Sequence, residues 1–270
     1  MNKLVNFFSL NVGTSNILAG LPALVNAENL DILFLQEVKL SSKQIESLMP
    51  GFRADSNIDS ENPDAPGTAI VWRNNLKVKS VTSIVMCRLQ VATLGSYRLV
   101  NIYAPSGSNK KREREQFFGQ TVFDLLQLTP KLAFIWAGDF NCILDKKDVE
   151  NSVGFQQKIS HSLDTLVKTA GLVDSFRSLY PSKLEFTFFR PGSATSRLDK
   201  FYISSCLLVN VSTVDHIASL SDHCGVKMGI TLHDEAATLF QQSLPKRTSY
   251  WKLNTAILQE ENFLEMFKPF

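Results

Sequence analysis

Leu132-Ala133-Phe134-Ile135-Trp136-Ala137-Gly138-Asp139-Phe140-Asn141 decides how this chain folds. An unbroken apolar run rich in aromatic and β-branched residues reads as a strand covered on both faces, and Gly-Asp followed by Asn ends it. The same grammar recurs in Leu4–Leu10, Ile32–Leu35 and Tyr97–Ile102. Directly after these runs come Asn11, Glu37, Tyr103 with Ala104-Pro105, and Asp139 with Asn141. Separate strands thus deliver polar side chains to one rim, where α/β sheets build their sites. If the extended geometry persists, alternation points Asp139 and Asn141 the same way, and likewise Asn101 and Tyr103.

Working outward, helix-like segments fall at Asn16–Ala27, after Ser41 (where Ser41 and Gln44 have capping-box spacing), at Lys110–Leu128 and at Gln156–Ala170. Hairpin-like pairs occupy Thr68–Val71 with Leu76–Met86, and Gln90–Leu94 with Tyr97–Ile102. Later strands are expected at Glu185–Phe188, Arg197–Ser204, Val211–Asp215 and Val226–Leu232. The mixture predicts an α/β chain in which two mixed sheets pack face to face with helices outside.

At 270 residues and 44% hydrophobic content the chain can bury a large core. With no linker-like tract between Asn11 and His223, one large domain over residues 1–235 is expected. Residues 236–270 change character: a polar stretch precedes Trp251, Leu253, Ile257, Leu258, Leu264 and Phe267 at helical intervals, reading as a linker and amphipathic helix that lead toward a missing downstream region. Cys87, Cys142, Cys206 and Cys224 lack zinc-site spacing and read as free thiols in a reducing compartment. No signal sequence, membrane span or lipidation motif is visible, and a net charge of +2 does not by itself indicate a polyanionic partner.

A lone Glu ending a buried strand is ordinarily a solvated rim residue, but in combination with the other rim groups Glu37 fits magnesium, which needs few carboxylates when substrate phosphate and water complete its octahedron. Asp139 and Asn141 either cap a turn or orient a water and hold a phosphate oxygen. His223, beside Asp222 in Ser221-Asp222-His223, matches proton exchange near neutrality if a carboxylate holds its other nitrogen. Asp199 is the candidate, the alternative being a structural Arg197–Asp199 pair. Asp222 and His223 serve one site only if a turn holds them. Tyr103 and Thr187 could donate to a phosphate. Lys110-Lys111-Arg112-Arg114 reads as a solvated helix start, with contact to a nucleic-acid backbone as the alternative. His161, His216 and His233 read as structural.

The ordered set Asn11, Gln36-Glu37, Asn101-Ile102-Tyr103-Ala104-Pro105, Gly138-Asp139-Phe140-Asn141, Phe186-Thr187-Phe188, Arg197-Leu198-Asp199 and Ser221-Asp222-His223 resembles the endonuclease/exonuclease/phosphatase superfamily over residues 3–232. Within it, Ser196–Ser204, Gly171–Arg177 and Tyr250–Asn254 look like the N-terminal, apurinic-like endonuclease domain of LINE-type (non-LTR) retrotransposon polyproteins. The resemblance implies a four-layer α/β sandwich, magnesium (with manganese as a substitute), double-stranded target DNA, and a downstream reverse transcriptase primed by the nicked 3′-hydroxyl. It further implies synthesis in the cytoplasm and action in the nucleus. By position, Glu37 looks like the principal metal ligand, supported by Asn11 and Asp222. Asp139 would act on water or leaving group with Asn141, and His223, oriented by Asp199, would serve the phosphate. Tyr103 and Thr187 would contact the phosphate, and Ser221 would support the local turn. Arg190-Pro191-Gly192-Ser193-Ala194-Thr195 occupies the place of a loop that influences site choice, which makes Arg190, Ser193 and Thr195 candidate substrate contacts. A repair endonuclease for abasic sites, a small-ester phosphatase and a decayed DNA-binding module are the competing readings.

Overall fold

Strands without polar alternation must be covered on both faces, and the chain achieves this with two stacked sheets. A computed structural model describes residues 3–13, 16–127 and 132–233. The chain first lays down β1 (Lys3–Asn11), β2 (Ile32–Val38), β3 (Phe52–Asn57) and β4 (Gly67–Arg73). It continues with β5 (Val78–Val85), β6 (Leu89–Leu94), β7 (Tyr97–Tyr103), β8 (Ala133–Asp139), β9 (Leu172–Asp174) and β10 (Asp199–Ser204), and returns with β11 (Val211–Ile217) and β12 (Gly225–Leu232). One six-stranded sheet has the order β11-β12-β1-β2-β4-β3, the other β5-β6-β7-β8-β10-β9.

Each sheet has one parallel pair at its centre, β1 with β2 and β7 with β8, and both pairs end at the same rim. Asn11 lies beside Gln36, and Tyr103 beside Asp139. The antiparallel neighbours begin there: Asp199 of β10 pairs with Asp139, and β12 starts just after His223.

Phe7, Phe34 and Phe201 meet between the sheets with centroids 6.0 to 6.4 Å apart, within a core that also holds Ile70, Leu99, Ile135 and Met228. Alternate residues of the same strands face outward. Phe8, Leu10, Leu33 and Leu35 cluster with Leu18, Leu21 and Ile45 of helices α1 (Asn16–Ala27) and α2 (Ser42–Leu48). Val100, Ile102 and Trp136 meet Phe117, Phe118, Leu163 and Leu166 on the opposite side. The result is a four-layer α/β sandwich. Ser41 and Gln44 form the capping box expected of them.

Polar bonds cross the seam near the functional rim. Gln36 Nε2 donates to Asn101 Oδ1 at 2.8 Å, and Asn101 Nδ2 donates to the carbonyls of Leu35 and Ala69. These fix one sheet's register against the other, because a buried amide left unpaired would cost about 1–3 kcal/mol.

Four expectations of secondary structure change. Thr68–Val71 and Leu76–Met86 do not form a hairpin: β4 pairs with β2 and β3 in one sheet, and β5 with β6 in the other. Lys110–Leu128 is not one regular helix: α3 (Lys111–Gln116) passes through a π-helical stretch, Phe117–Val122, into α4 (Phe123–Gln127). Gln156–Ala170 breaks in two, since Ile159 is extended and Ser160 caps a new helix by accepting from Leu163 N, giving α5 (Ser152–Lys158) and α6 (His161–Thr169). Glu185–Phe188 is not a strand; Phe188 alone makes isolated bridges, to Ser196 and His223. The helix expected within 236–270 lies outside the described residues.

Candidate active site

Backbone strain aims the central carboxylates. Glu37 has φ 59° and sits in a bulge where the β2–β4 register shifts between Gln36 and Val38. A glutamate in the left-handed region is uncommon, and bulges re-aim side chains at site rims. Gly138 has φ 144°, and a Cβ there would lie 1.9 Å from the Ile102 carbonyl oxygen, so only glycine lets β7 approach the residue before Asp139. Asn141 has φ 50°. It reaches Asp139 through this turn, not through strand alternation.

The side chains then interlock. Asn11, fully buried, donates from Nδ2 to Glu37 Oε1 at 2.9 Å and to Asp139 Oδ2 at 3.1 Å. Tyr103 donates its hydroxyl proton to Glu37 Oε1 at 3.0 Å. Both bonds fall on Oε1, which leaves Oε2 for another partner. Asn141 donates from its backbone to Asp139 Oδ1 at 2.9 Å and from Nδ2 to Oδ2 at 3.0 Å. His223 Nδ1 lies 2.8 Å from Asp199 Oδ2, with Nε2 4.0 Å from Asp139 Oδ2. The structural alternative for Asp199 is not what forms: Arg197 binds Asp148 and Asp174 instead.

Burial, and after it the Asp199 charge, pushes the Asp139 carboxyl up to about 6. Burial works against the His223 imidazolium, but Asp199 outweighs it and holds the ring up to about 9. His223 is therefore a cation at neutral pH, with Asp199 fixing its ring. Burial, then Glu37 and Asp139, push the Tyr103 phenol upward, so it stays a proton donor. Arg88, which no motif singles out, lies 4.4 Å over the Tyr103 ring and steadies it.

Asp139, Asp199 and His223 offer ligand atoms within 4.8 Å of one another. Of these, Asp199 Oδ2 and His223 Nδ1 are already spent on each other. Glu37 and Asp139, with the Asn11 amide beside them, supply the hard oxygens a divalent cation of the magnesium class prefers, and their crowded negative charge calls for one. The residues present fit such an ion.

Other expected contacts are placed differently. Thr187 is fully buried; its hydroxyl donates to Asp199 Oδ2 at 2.7 Å and accepts from the backbone of Leu198 and Asp199, so it fixes Asp199 and does not face a phosphate. Asp222 turns to Arg190, which contacts Oδ2 through Nε at 2.8 Å and through a terminal nitrogen at 2.7 Å, and so does not join the cluster of Asp139, Asp199 and His223. The turn joining Asp222 to His223 exists: Ser219 donates to the His223 carbonyl and accepts from Ser221 N, while Ser221 Oγ reaches Asp222 Oδ1 at 3.3 Å. Ser193 and Arg190 line the cleft, whereas Thr195 uses its carbonyl to accept from Glu150 N. Arg114, grouped above with a solvated helix start, is only 2% exposed and lines the cleft. His216, half-buried, stacks on Phe176 at 4.5 Å, away from the cleft, in keeping with a structural role.

A family model described as Endonuclease/Exonuclease/phosphatase family matches residues 9–223. A Xenopus laevis protein, "Transposon TX1 uncharacterized 149 kDa protein", is 32% identical over 196 residues, which cover 69% of this chain but 14% of that protein. A Dictyostelium discoideum DNA-(apurinic or apyrimidinic site) endonuclease is 25% identical over 262 residues, covering 85% of this chain and 71% of its own. Among solved structures, an AP endonuclease from Leishmania major superposes with TM-score 0.74 at 22% identity, covering 86% of this chain and 89% of that one. A Neisseria 3′ phosphatase bound to a product DNA hairpin gives 0.69 at 22% identity, covering 84% and 99%.

Proposed function

This chain belongs to the Endonuclease/Exonuclease/phosphatase family, and from that premise we propose that it is a metal-dependent DNA endonuclease of a non-LTR retrotransposon, nicking one strand of target DNA to leave a 3′-hydroxyl primer. The observation that carries this reading is the facing pair of Asp139, hydrogen-bonded on both oxygens, and cationic His223, with Nε2 4.0 Å from that carboxylate. The 32% identity to a transposon protein supports the retroelement setting.

The residues divide the work by protonation state. Asp139, fixed by Asn11 and Asn141, accepts the proton of the attacking water, whose oxygen bonds to phosphorus as the P–O3′ bond breaks. His223 donates from Nε2 toward the phosphate, where negative charge grows, and Asp199 and Thr187 keep the ring in place. Tyr103, un-ionised, spends its hydroxyl proton on Glu37 and so holds that carboxylate in place. Glu37, with Asn11 beside it, would hold magnesium, with manganese a substitute, and such an ion would supply Lewis-acid charge to the phosphate when bound. Asp222, paired with Arg190, would support the water network around it.

The substrate is double-stranded DNA, the partner a reverse transcriptase region further along the same polyprotein, and the site of action the nucleus after cytoplasmic synthesis. No helix among the described residues is long and apolar enough to cross a membrane. Residues 1–235 act as the nuclease unit, and 236–270 link it onward. Arg190, Ser193 and Thr195 belong to the loop that biases site choice; swapping residues 190–195 redistributes cuts while overall nicking persists, and an unchanged cut map would refute that role.

Incubating supercoiled plasmid with the chain in magnesium or in chelator, then mapping the cut ends, tests the reading. Single-strand nicks bearing 3′-hydroxyls only with metal are expected; their absence sinks it. The second reading, abasic-site repair, draws on the 25% identical Dictyostelium relative. Strong preference for an abasic over an intact duplex would favour it.

A further inference from the structure

The cleft of about 400 Å³ that holds the carboxylates runs past Phe188 and Leu198 to a second group of charges, of opposite sign. Its walls there include Ser106, Gly107, Arg114, Lys158 and Ala194. Arg114 is 2% exposed, and one of its terminal nitrogens donates to the Pro105 carbonyl at 2.8 Å and to the Gly107 carbonyl at 3.3 Å. Its Nε is buried with no hydrogen-bond partner, and no carboxylate among the described residues forms an ion pair with it. A buried guanidinium without a counter-charge is unfavourable, since desolvation is not repaid.

Lys158, at the end of α5, shares this part of the cleft. Its ammonium donates to the Ala194 carbonyl at 2.9 Å and to Ser196 Oγ at 2.5 Å, and lies 4.9 Å over the Phe188 ring. It too has no carboxylate partner within ion-pair distance among the described residues. Burial pulls it down to about 8, Asp139 pulls the other way, and the nearby Arg114 charge adds to the lowering. Two half-compensated cations that repel each other across a polar cleft create a demand for an anion.

We infer that Arg114 and Lys158, with the Pro105–Gly107 loop that Arg114 holds, form a second anion subsite that takes a DNA backbone phosphate flanking the scissile one. The inference rests on the DNA-nicking function proposed above and deepens it. It assigns Lys158 two tasks: anchoring the base of the 190–195 loop through Ala194 and Ser196, and contacting a phosphate. Duplex DNA supplies a charge every roughly 3.4 Å of axis on each strand, so a neighbouring phosphate is always at hand.

The test measures binding of the full chain to a short duplex in chelator across a range of salt. Lys158→Gln is expected to weaken binding to any sequence and to lower the slope of log affinity against log salt by about 0.9, the signature of one lost phosphate contact. Lys158→Arg retains the slope. Ser196→Ala, which loosens the loop anchor without removing charge, also retains it. A duplex with one methylphosphonate beside the cut site binds the unmodified chain about tenfold more weakly, as expected for losing one charge-assisted bond, yet binds Lys158→Gln no worse than natural DNA does. Equal slopes for the natural chain and Lys158→Gln, or the same fall in Ser196→Ala, would overturn the subsite, because charge would then not be what Lys158 contributes. Normal plasmid nicking with no methylphosphonate position coupled to Lys158 overturns the subsite alone. A chain that neither binds nor nicks the duplex overturns the subsite together with the function beneath it.

Discussion

Arg197 and Asp199 stand two residues apart at the start of β10 and belong to two opposite kinds of charge cluster. Around Arg197 the charges are closed on themselves. Its guanidinium spans Asp148 and Asp174, while Arg177 and Lys200 also reach Asp148. Burial alone would raise the Asp148 carboxyl, but Lys200 and Arg197 hold it well below the usual carboxylate range. Around Asp199 the charges are left open. Asp139 and Asp199 face a single histidine, and Asp139 is driven upward where Asp148 is driven down. Matched charges fix a loop in place, and mismatched ones wait for a cation and a phosphate. The difference teaches that burial of an ionisable group says little until its partners are counted.

The sharpest way to break this comparison is to open the closed cluster. Arg197→Met takes the guanidinium from Asp174 and leaves Asp148 only Arg177 and Lys200; it should cost about 3 kcal/mol, the lower end of the penalty for removing one partner of a buried pair. Urea denaturation measures it; a loss below about 1 kcal/mol would mean the cluster is not structural. Next, Asp139→Ala or His223→Ala should cut nicking by about a hundredfold or more, roughly 2.7 kcal/mol of barrier. The unfolding midpoint of Asp139→Ala should hold or rise, because the substitution relieves repulsion. Unfolding of that variant at ordinary temperature would contradict the division drawn above.

Smaller is the effect of metal on stability. Magnesium at ten times its dissociation constant should stabilise the chain by about 1.4 kcal/mol, seen as a higher midpoint in urea. Glu37→Ala should abolish that gain, whereas Arg197→Met, though weaker overall, should keep it. A further effect is on pH dependence in chelator. Burial opposes the His223 imidazolium, but its pairing with Asp199 lifts the folded ring from the ordinary 6.5 up to about 9. Its pairing therefore stabilises fully below about 6.5 and is lost as pH rises toward 9. Comparing unfolding midpoints of the natural chain and Asp199→Asn across that window checks this; parallel curves would show that the pair is not coupled to folding.

Strand ends were legible because chain chemistry marks them. Apolar runs stopped by Asn11, Glu37, Tyr103 and Asp139 gave the parallel centres of both sheets, and the sandwich followed from the need to cover them. Asp199 as the orienting partner of His223 was also readable, since a histidine working near neutrality needs one. What alternation could not reveal was the route. Asn141 reaches Asp139 through a left-handed turn, and Thr187 is drawn inward by the Leu198 and Asp199 amides instead of lining a strand. Asp148 and Lys158 carried no local signal at all: one follows Lys-Lys at the end of a single 3-10 turn, the other ends a short helix, and only long-range packing gives them partners. Arg114 looked solvated among its basic neighbours because charge runs do not disclose which member turns inward.

The pairing of β1 carries one more implication. Asn11 stands at the cutting rim, whereas Lys3, at the other end of the same strand, lies beside Leu232 of β12. Strand rise puts these poles roughly 26 Å apart. The last residue of β12, Leu232, therefore stands at the pole remote from Asn11 and the carboxylates. On the function proposed above, a primer freed at the rim would lie a strand's length from the end at which β12 leaves its sheet, so a reverse transcriptase following in the chain would need a tether or a bend in the DNA to meet it.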